Sequence, residues 1–94
     1  MSDKPHYIGH RKRLRDRFLK AGGEALPDYE MLELVLFLAQ PRGDTKPLAK
    51  LLERFGSYAA VISAEPEDLS EIKGVKDASI AALKTVRDAA VRLA

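Results

Sequence analysis

The chain consists of amphipathic segments with helical spacing, separated by short breaks rich in glycine, proline and serine, and no segment shows the alternation of a strand. The first predicted helix covers residues 10–21, carries Leu14, Phe18 and Ala21 on one apolar face, and ends at Gly22. The pattern over the whole chain predicts an all-α protein, a compact bundle of five or six helices.

A second helix opens at Pro27 with Asp28 as its predicted N-cap, and a turn over residues 40–44 follows it. Residues 31–39 of this helix are apolar almost all round, which is typical of a helix at the centre of a bundle. Glu33 is the exception. A buried carboxylate needs a partner, so we expect an arginine of the first helix to pair with it, unless it faces water.

Three short helices and one long helix are predicted for the rest of the chain. Thr45 is the expected N-cap of the third helix, Gly56 ends it, and Ser57 caps a short fourth helix. Pro66 starts a fifth helix that continues to residue 72, and the last helix covers residues 78–94. The apolar faces expected on the third and last helices are Leu48, Leu51, Leu52 and Phe55, and Ala82, Leu83, Val86, Ala90 and Leu93.

Length and composition restrict the class of protein. The 94 residues suffice for one domain, and the absence of cysteine excludes disulfides and thiolate metal sites. No apolar run approaches the roughly 20 residues of a membrane span, and the start lacks the apolar region of a signal peptide, so we expect a cytoplasmic protein without membrane contact. The last helical pattern has no stop signal, which suggests that the chain is part of a longer protein.

The net charge of +2 is unevenly distributed. Residues 1–20 carry seven basic and two acidic side chains, a net of +5, whereas the other 74 residues carry nine basic and twelve acidic ones, a net of −3. A basic end on a mildly acidic body can attract nucleic acid, and it is equally compatible with a solvated helix surface.

The segment over residues 69–83 is the most informative part of the chain. Leu69, Ile72 and Val75 are apolar at a spacing of three, a tight turn follows around Gly74, and a new helix starts at Asp77. Such a turn leaves backbone N–H groups unpaired at a helix N-terminus, where the helix dipole also favours an anion. The segment resembles a helix-hairpin-helix, an element that binds DNA without sequence specificity.

A related unit precedes it, so two helix–turn–helix units lie in tandem. Residues 51–62, LLERFGSYAAVI, are followed by a linker that contains Pro66 and then by the hairpin over residues 72–80. This order resembles the double helix-hairpin-helix domains of nucleotide-excision nucleases and DNA ligases. The first hairpin is degenerate, because it keeps a single glycine.

The N-terminal part resembles the RadC family. Residues 9–18 (GHRKRLRDRF), 26–34 (LPDYEMLEL) and 41–49 (PRGDTKPLA) carry the resemblance, which extends over residues 8–90. It implies a DNA-repair function and a second, C-terminal domain similar to zinc-dependent JAB/MPN metallopeptidases, which this chain lacks. The chain divides into an arm over residues 1–9 and one helical domain over residues 10–94. That domain comprises a helix pair (10–40) and the double helix-hairpin-helix (45–94).

The resemblance to helix-hairpin-helix proteins implies that backbone amides of the hairpin bind one DNA phosphate. The usual glycine–apolar–glycine sequence is Gly74-Val75-Lys76 here, so Lys76 offers a cation where a second glycine would stand. Asp77 opposes this, because as an N-cap it would occupy the amides that a phosphate needs, and a purely structural hairpin also fits. The residues predicted to contact DNA are Lys73, Gly74, Val75, Lys76 and Ala78 in the second hairpin, Gly56 and Ser57 in the first, Lys46, Lys50 and Arg54 on the third helix, and Arg11 and Arg15 on the first.

No catalytic constellation or cofactor site is predicted. The serines have no neighbouring histidine to act as a base, and His6 and His10 lack the third ligand that a zinc site needs. The resemblance also implies a monovalent cation held by the carbonyls of Ser70, Ile72 and Val75. We expect no enzyme activity, no cofactor and no small-molecule substrate in this chain.

Two functional hypotheses remain. The first is a DNA-binding module that contacts phosphates through hairpin amides and lysines. The second is a protein-interaction or oligomerisation domain with degenerate hairpins, in which Tyr58 and Ile80 are exposed to a protein partner or to the missing C-terminal domain.

Overall fold

The computed structural model describes residues 6–40 and 46–94. Six α-helices and one 3₁₀ turn account for most of these residues. No strand occurs in these ranges, so the predicted all-α bundle is confirmed. The predicted turn over residues 40–44 and its neighbour Thr45 lie outside the described residues, apart from Gln40. The helices are α1 (His6–Ala21), α2 (Asp28–Ala39), α3 (Lys46–Phe55), α4 (Tyr58–Ser63), α5 (Pro66–Ser70) and α6 (Asp77–Leu93), and the 3₁₀ turn is Gly23–Ala25.

Two boundaries differ from the sequence prediction by two residues or more. α1 begins at His6, one turn before the predicted start at residue 10, so part of the predicted N-terminal arm is helical. α5 ends at Ser70 and the chain continues in a turn, whereas the pattern predicted a helix up to residue 72. Both differences are within the usual uncertainty of helix ends, which fray and tighten easily.

α2 lies at the centre because its buried side chains belong to two hydrophobic clusters. Leu32 and Val35 pack into a cluster with apolar residues of the C-terminal part of the chain, and Leu34 and Phe37 pack into a second cluster with α1. A helix that is apolar almost all round can supply both faces. The C-terminal cluster also contains Leu48, Leu51, Val61, Leu69, Ile72, Val75 and Leu83, and the cluster with α1 also contains Leu14 and Leu26.

The buried carboxylate of α2 is paired with α1. Glu33 has 7% of its side-chain surface exposed, and its Oε1 lies 2.9 Å from Nε2 of His10. The expected arginine partner was therefore wrong in residue type, although the predicted helix is correct. Arg11 instead stacks over the ring of Phe37, with its guanidinium carbon 4.2 Å from the ring centroid, a cation–π contact.

A lysine of α6 closes the end of α4. The Lys84 ammonium donates hydrogen bonds to the carbonyl oxygens of Ile62 (2.9 Å) and Ala64 (2.7 Å). Both oxygens lie at the C-terminus of α4, where carbonyls lack partners within the helix and the dipole favours a cation. This contact fixes the α4–α5 connection on α6.

The apolar stripe of α6 continues past the core. Leu83 is fully buried and Val86 is half-buried, but Ala90 is exposed and Leu93 is 88% exposed. The expected burial of Ala90 and Leu93 was wrong, and residues 87–93, the last two turns of the helix, are all exposed. Among the helices of the described ranges, none is long and apolar enough to cross a membrane.

We expect Lys84→Met to lower the free energy of unfolding by about 1.5–3 kcal/mol, because two carbonyls lose a charged donor. Urea denaturation measures this. Arg87→Met is the matched control, since Arg87 is an exposed residue of the same helix without an ion pair in the described structure. Its effect should stay within about 0.5 kcal/mol. Equal losses in the two variants would show that the carbonyl contacts contribute nothing.

Candidate nucleic-acid interface

Turn 2, residues 71–76 between α5 and α6, corresponds to the predicted second hairpin. Gly74 has a φ of +95°, which favours glycine, and a Cβ placed there would lie 2.6 Å from Cγ of Pro47. The turn therefore rests against the start of α3 without room for a side chain. The amide of Val75 donates to the carbonyl of Ile72 (3.1 Å), which closes the turn.

The amides at the start of α6 are open. Lys76 occupies the N-cap position with extended backbone and provides no side-chain cap. Asp77 is the first helical residue, so the prediction that it caps the helix was wrong. The first backbone hydrogen bond of the helix runs from the amide of Ile80 to the carbonyl of Lys76. Within the described residues, the amides of Gly74, Lys76 and Ala78 have no hydrogen-bond acceptor.

Cationic side chains lie next to these amides. Lys73 and Lys76 are exposed within turn 2 itself. α3 runs alongside the turn, because Pro47 contacts Gly74 at one end and Arg54 bonds to Glu71 at the other (Nη2 to Oε1, 2.6 Å).

Lys50 lies one helical turn before Arg54 on α3 and is exposed. The side chain of Lys46 lies outside the described residues. The Arg54–Glu71 ion pair thus joins the side of α3 that also carries Lys50 to the turn in which Lys73 and Lys76 are exposed.

Turn 1, residues 56 and 57 between α3 and α4, is the predicted first hairpin, and two of the amides that follow it in α4 have internal acceptors. Oδ2 of Asp28 accepts from the amide of Tyr58 (3.0 Å), and Oγ of Ser57 accepts from the amide of Ala60 (3.1 Å), which confirms Ser57 as the N-cap. The predicted role of Asp28 as N-cap of α2 was wrong. Pro27 holds that position, and the carboxylate of Asp28 caps a different helix.

Other predicted contacts do not join this surface. Arg11 is only 9% exposed and its guanidinium stacks over the ring of Phe37, so little of its surface is available for the predicted contact with DNA. Arg15 is exposed, but α1 packs mainly on α2 and the 3₁₀ turn. Tyr58 and Ile80 are partly buried against the C-terminal cluster and are not the exposed residues that a protein interface was expected to use.

The predicted cation site is partly used by the turn. Of its three carbonyls, that of Ile72 accepts from the amide of Val75 (3.1 Å). His10 is bonded to Glu33, and the side chain of His6 lies outside the described residues. Residues 6–40 and 46–94 contain no group of three or more metal-ligating side chains.

Sequence reasoning missed three residues that shape this surface. All three act on residues that are distant in sequence. Pro47 packs against Gly74. Asp28 accepts from an amide 30 residues away, and Glu71 accepts from an arginine 17 residues away. No local spacing rule predicts such contacts. Glu71 could have been identified from the sequence as an acidic residue close to the hairpin glycine, with a charge opposite to that of the predicted DNA-contacting residue Arg54.

The chain is similar in sequence to longer bacterial proteins. A UPF0758 protein of Ruegeria pomeroyi is 54% identical over 92 residues, 96% of this chain and 41% of the relative. A UPF0758 protein of Rhodobacter capsulatus is 56% identical over 82 residues, 86% of this chain and 38% of the relative. Both relatives are UPF0758 proteins, which are the RadC family that the sequence resembles, and the chain spans about two fifths of their length. No family model and no solved structure matches the chain.

Gly74→Ala should destabilise the domain more than Gly56→Ala. Both glycines have positive φ, at a cost of about 1–2 kcal/mol for alanine, but the added methyl group meets Pro47 only at position 74. Overpacking there should add about 1–3 kcal/mol. Urea denaturation of both variants, with Gly74→Ala repeated in a Pro47→Ala background, measures the clash. Equal costs at the two positions would contradict the packing of turn 2 on α3.

Asp28→Asn should lower the pKa of Tyr58. Burial raises the pKa of this phenol above its usual value, and the charge of Asp28 raises it further. Because the folded state holds this proton more tightly than the unfolded state, Tyr58 makes the free energy of unfolding depend on pH. Its contribution is complete below about pH 10 and is lost as the pH rises through the folded-state pKa. Tyrosinate absorbance during alkaline titration measures the pKa, and Tyr58→Phe identifies the signal. A titration curve that Asp28→Asn leaves unchanged would contradict the contribution of the charge.

Proposed function

We propose that this chain is the N-terminal helical domain of a RadC-family (UPF0758) protein and that it binds DNA without sequence specificity. The module holds backbone phosphates with the amides of turn 2 and with neighbouring lysines. It has no enzymatic role of its own, and the cytoplasmic location stays a prediction.

The observation that carries this proposal is the difference between the two turns. In turn 1, an internal carboxylate and a serine hydroxyl accept from the first amides of α4. At the same positions of α6, the amides of Asp77 and Ser79 have no acceptor among the described residues, and Lys73 and Lys76 are exposed in the preceding turn 2. Backbone N–H groups at a helix N-terminus, together with cations, are the chemistry that binds a phosphate oxygen.

This chemistry determines the type of binding. Contacts to phosphates position a protein on DNA but carry no sequence information. One open turn with a few cations provides only a small number of contacts, so the isolated domain should bind with a dissociation constant of about 1 µM or weaker. The affinity should fall steeply with salt, because each neutralised phosphate releases counterions.

The relatives suggest a context for such a module. They are more than twice as long as this chain, so a further domain accompanies the matched region in those proteins. We propose that the helical domain places that further domain on DNA, in keeping with the DNA-repair role that the RadC resemblance implies. Any enzymatic activity belongs to the further domain.

A second candidate function, protein interaction, is supported by the exposed end of α6. Val91 is 56% exposed and Leu93 is 88% exposed, although both are apolar. Exposed apolar side chains on one helix can contact a second protein or the further domain. Light scattering of the purified chain separates the two proposals, because a stable oligomer without DNA affinity would favour the second.

Lys76→Glu should abolish measurable DNA binding, because it replaces the cation at the open amides with a competing anion. Fluorescence anisotropy with labelled single-stranded, duplex and branched DNA at about 50 and 200 mM salt measures the affinity and its salt dependence. Unchanged affinity in Lys76→Glu would exclude turn 2 as the binding site.

Arg87→Glu is the matched control for net charge. Arg87 is exposed on the same helix, about 15 Å along the axis from its start. The same change in charge at this distance should reduce the affinity only slightly. If both variants lose binding equally, the domain responds to its total charge and not to a site at turn 2.

A further inference from the structure

Arg54 and Glu71 form an ion pair that links α3 to the first residue of turn 2. Nη2 of Arg54 lies 2.6 Å from Oε1 of Glu71, and the side chains are 44% and 58% exposed. The pair thus lies at the surface, at the edge of the open amides. Arg54 faces the side of α3 on which Lys50 is also exposed.

The pair is easily exchanged. An exposed ion pair contributes little to stability, because water and salt screen it and two long side chains must be ordered. A guanidinium binds phosphate and carboxylate with the same planar, bidentate geometry. A DNA phosphate that arrives at turn 2 can therefore replace the Glu71 carboxylate on Arg54.

We infer that Glu71 is an affinity-determining residue of the proposed DNA site, which acts as an internal competitor for Arg54. In the free domain Arg54 is bound to Glu71, and in the complex it is bound to a phosphate. The free carboxylate of Glu71 then remains close to the DNA and opposes binding. This inference rests on the proposed function and adds a specific regulation of the site.

Glu71→Gln tests this inference, with Glu53→Gln as the matched control. Glu53 is an exposed residue of α3 next to Arg54 and makes no ion pair in the described part of the chain. Both variants remove one negative charge from the same region, but only Glu71→Gln releases the arginine. Thermal unfolding checks that both variants are folded, which their exposure leads us to expect.

The expected result is an additional phosphate contact. Anisotropy titrations with a short duplex over a range of salt concentrations should show about a 3- to 10-fold higher affinity for Glu71→Gln at low salt. The slope of log affinity against log salt should steepen by about 0.9, the value for one more phosphate on duplex DNA. Glu53→Gln should keep the wild-type slope. In an Arg54→Gln background, Glu71→Gln should no longer steepen the slope.

Other outcomes overturn the inference. Equal gains in Glu71→Gln and Glu53→Gln would mean that Glu71 acts only through net charge, and weaker binding of Glu71→Gln would mean that the ion pair positions the turn for DNA. If the wild-type domain binds no DNA at any salt, the proposed function fails. In that case, binding gained by Glu71→Gln alone would still support Glu71 as a competitor, and no gain would overturn it.

Discussion

The position of α2 between two apolar clusters is the constraint on which the rest of the structure depends. Leu32 and Val35 anchor the C-terminal helices, and Leu34 and Phe37 anchor α1. A helix with two buried faces cannot rotate without exposing one of them, because each side chain has a fixed direction around the axis. The Glu33 carboxylate limits the rotation further, because only His10 of α1 accommodates its charge in the described structure.

This constraint also explains why the two turns differ. Asp28 is the first residue of α2, so the orientation of α2 places its carboxylate at the amide of Tyr58. A carboxylate at a helix N-terminus satisfies the same dipole and the same N–H groups that a phosphate would. The helix start after turn 1 is therefore already bound to a carboxylate of α2, and this hydrogen bond joins α4 to α2. At turn 2 the described residues provide no such carboxylate: Gly74 packs on Pro47, and the amides at the start of α6 have no acceptor.

The sequence predicted the helices well because their signals are local. Ser57 as a cap, Gly56 as a stop and Leu83 as a core residue follow from spacing and backbone chemistry, and all three are found as expected. Asp28 was assigned to its own helix because a capping residue normally acts locally, and its actual partner is 30 residues away. Leu93 was expected in the core because periodicity shows which face is apolar. Periodicity does not show how far the neighbouring helices extend along it.

The same layering limits what the basic N-terminal helix can contribute to the proposed site. α1 carries exposed cations such as Arg15, but it packs mainly on α2, and α2 is about 10 Å thick with its side chains. The Debye length is about 8 Å at physiological ionic strength. Charges on α1 that act on turn 2 across α2 are thus weakened by screening at this ionic strength. They can attract DNA to the domain at low salt, but at physiological salt the affinity of the site depends on the amides and the four cations that α3 and turn 2 provide.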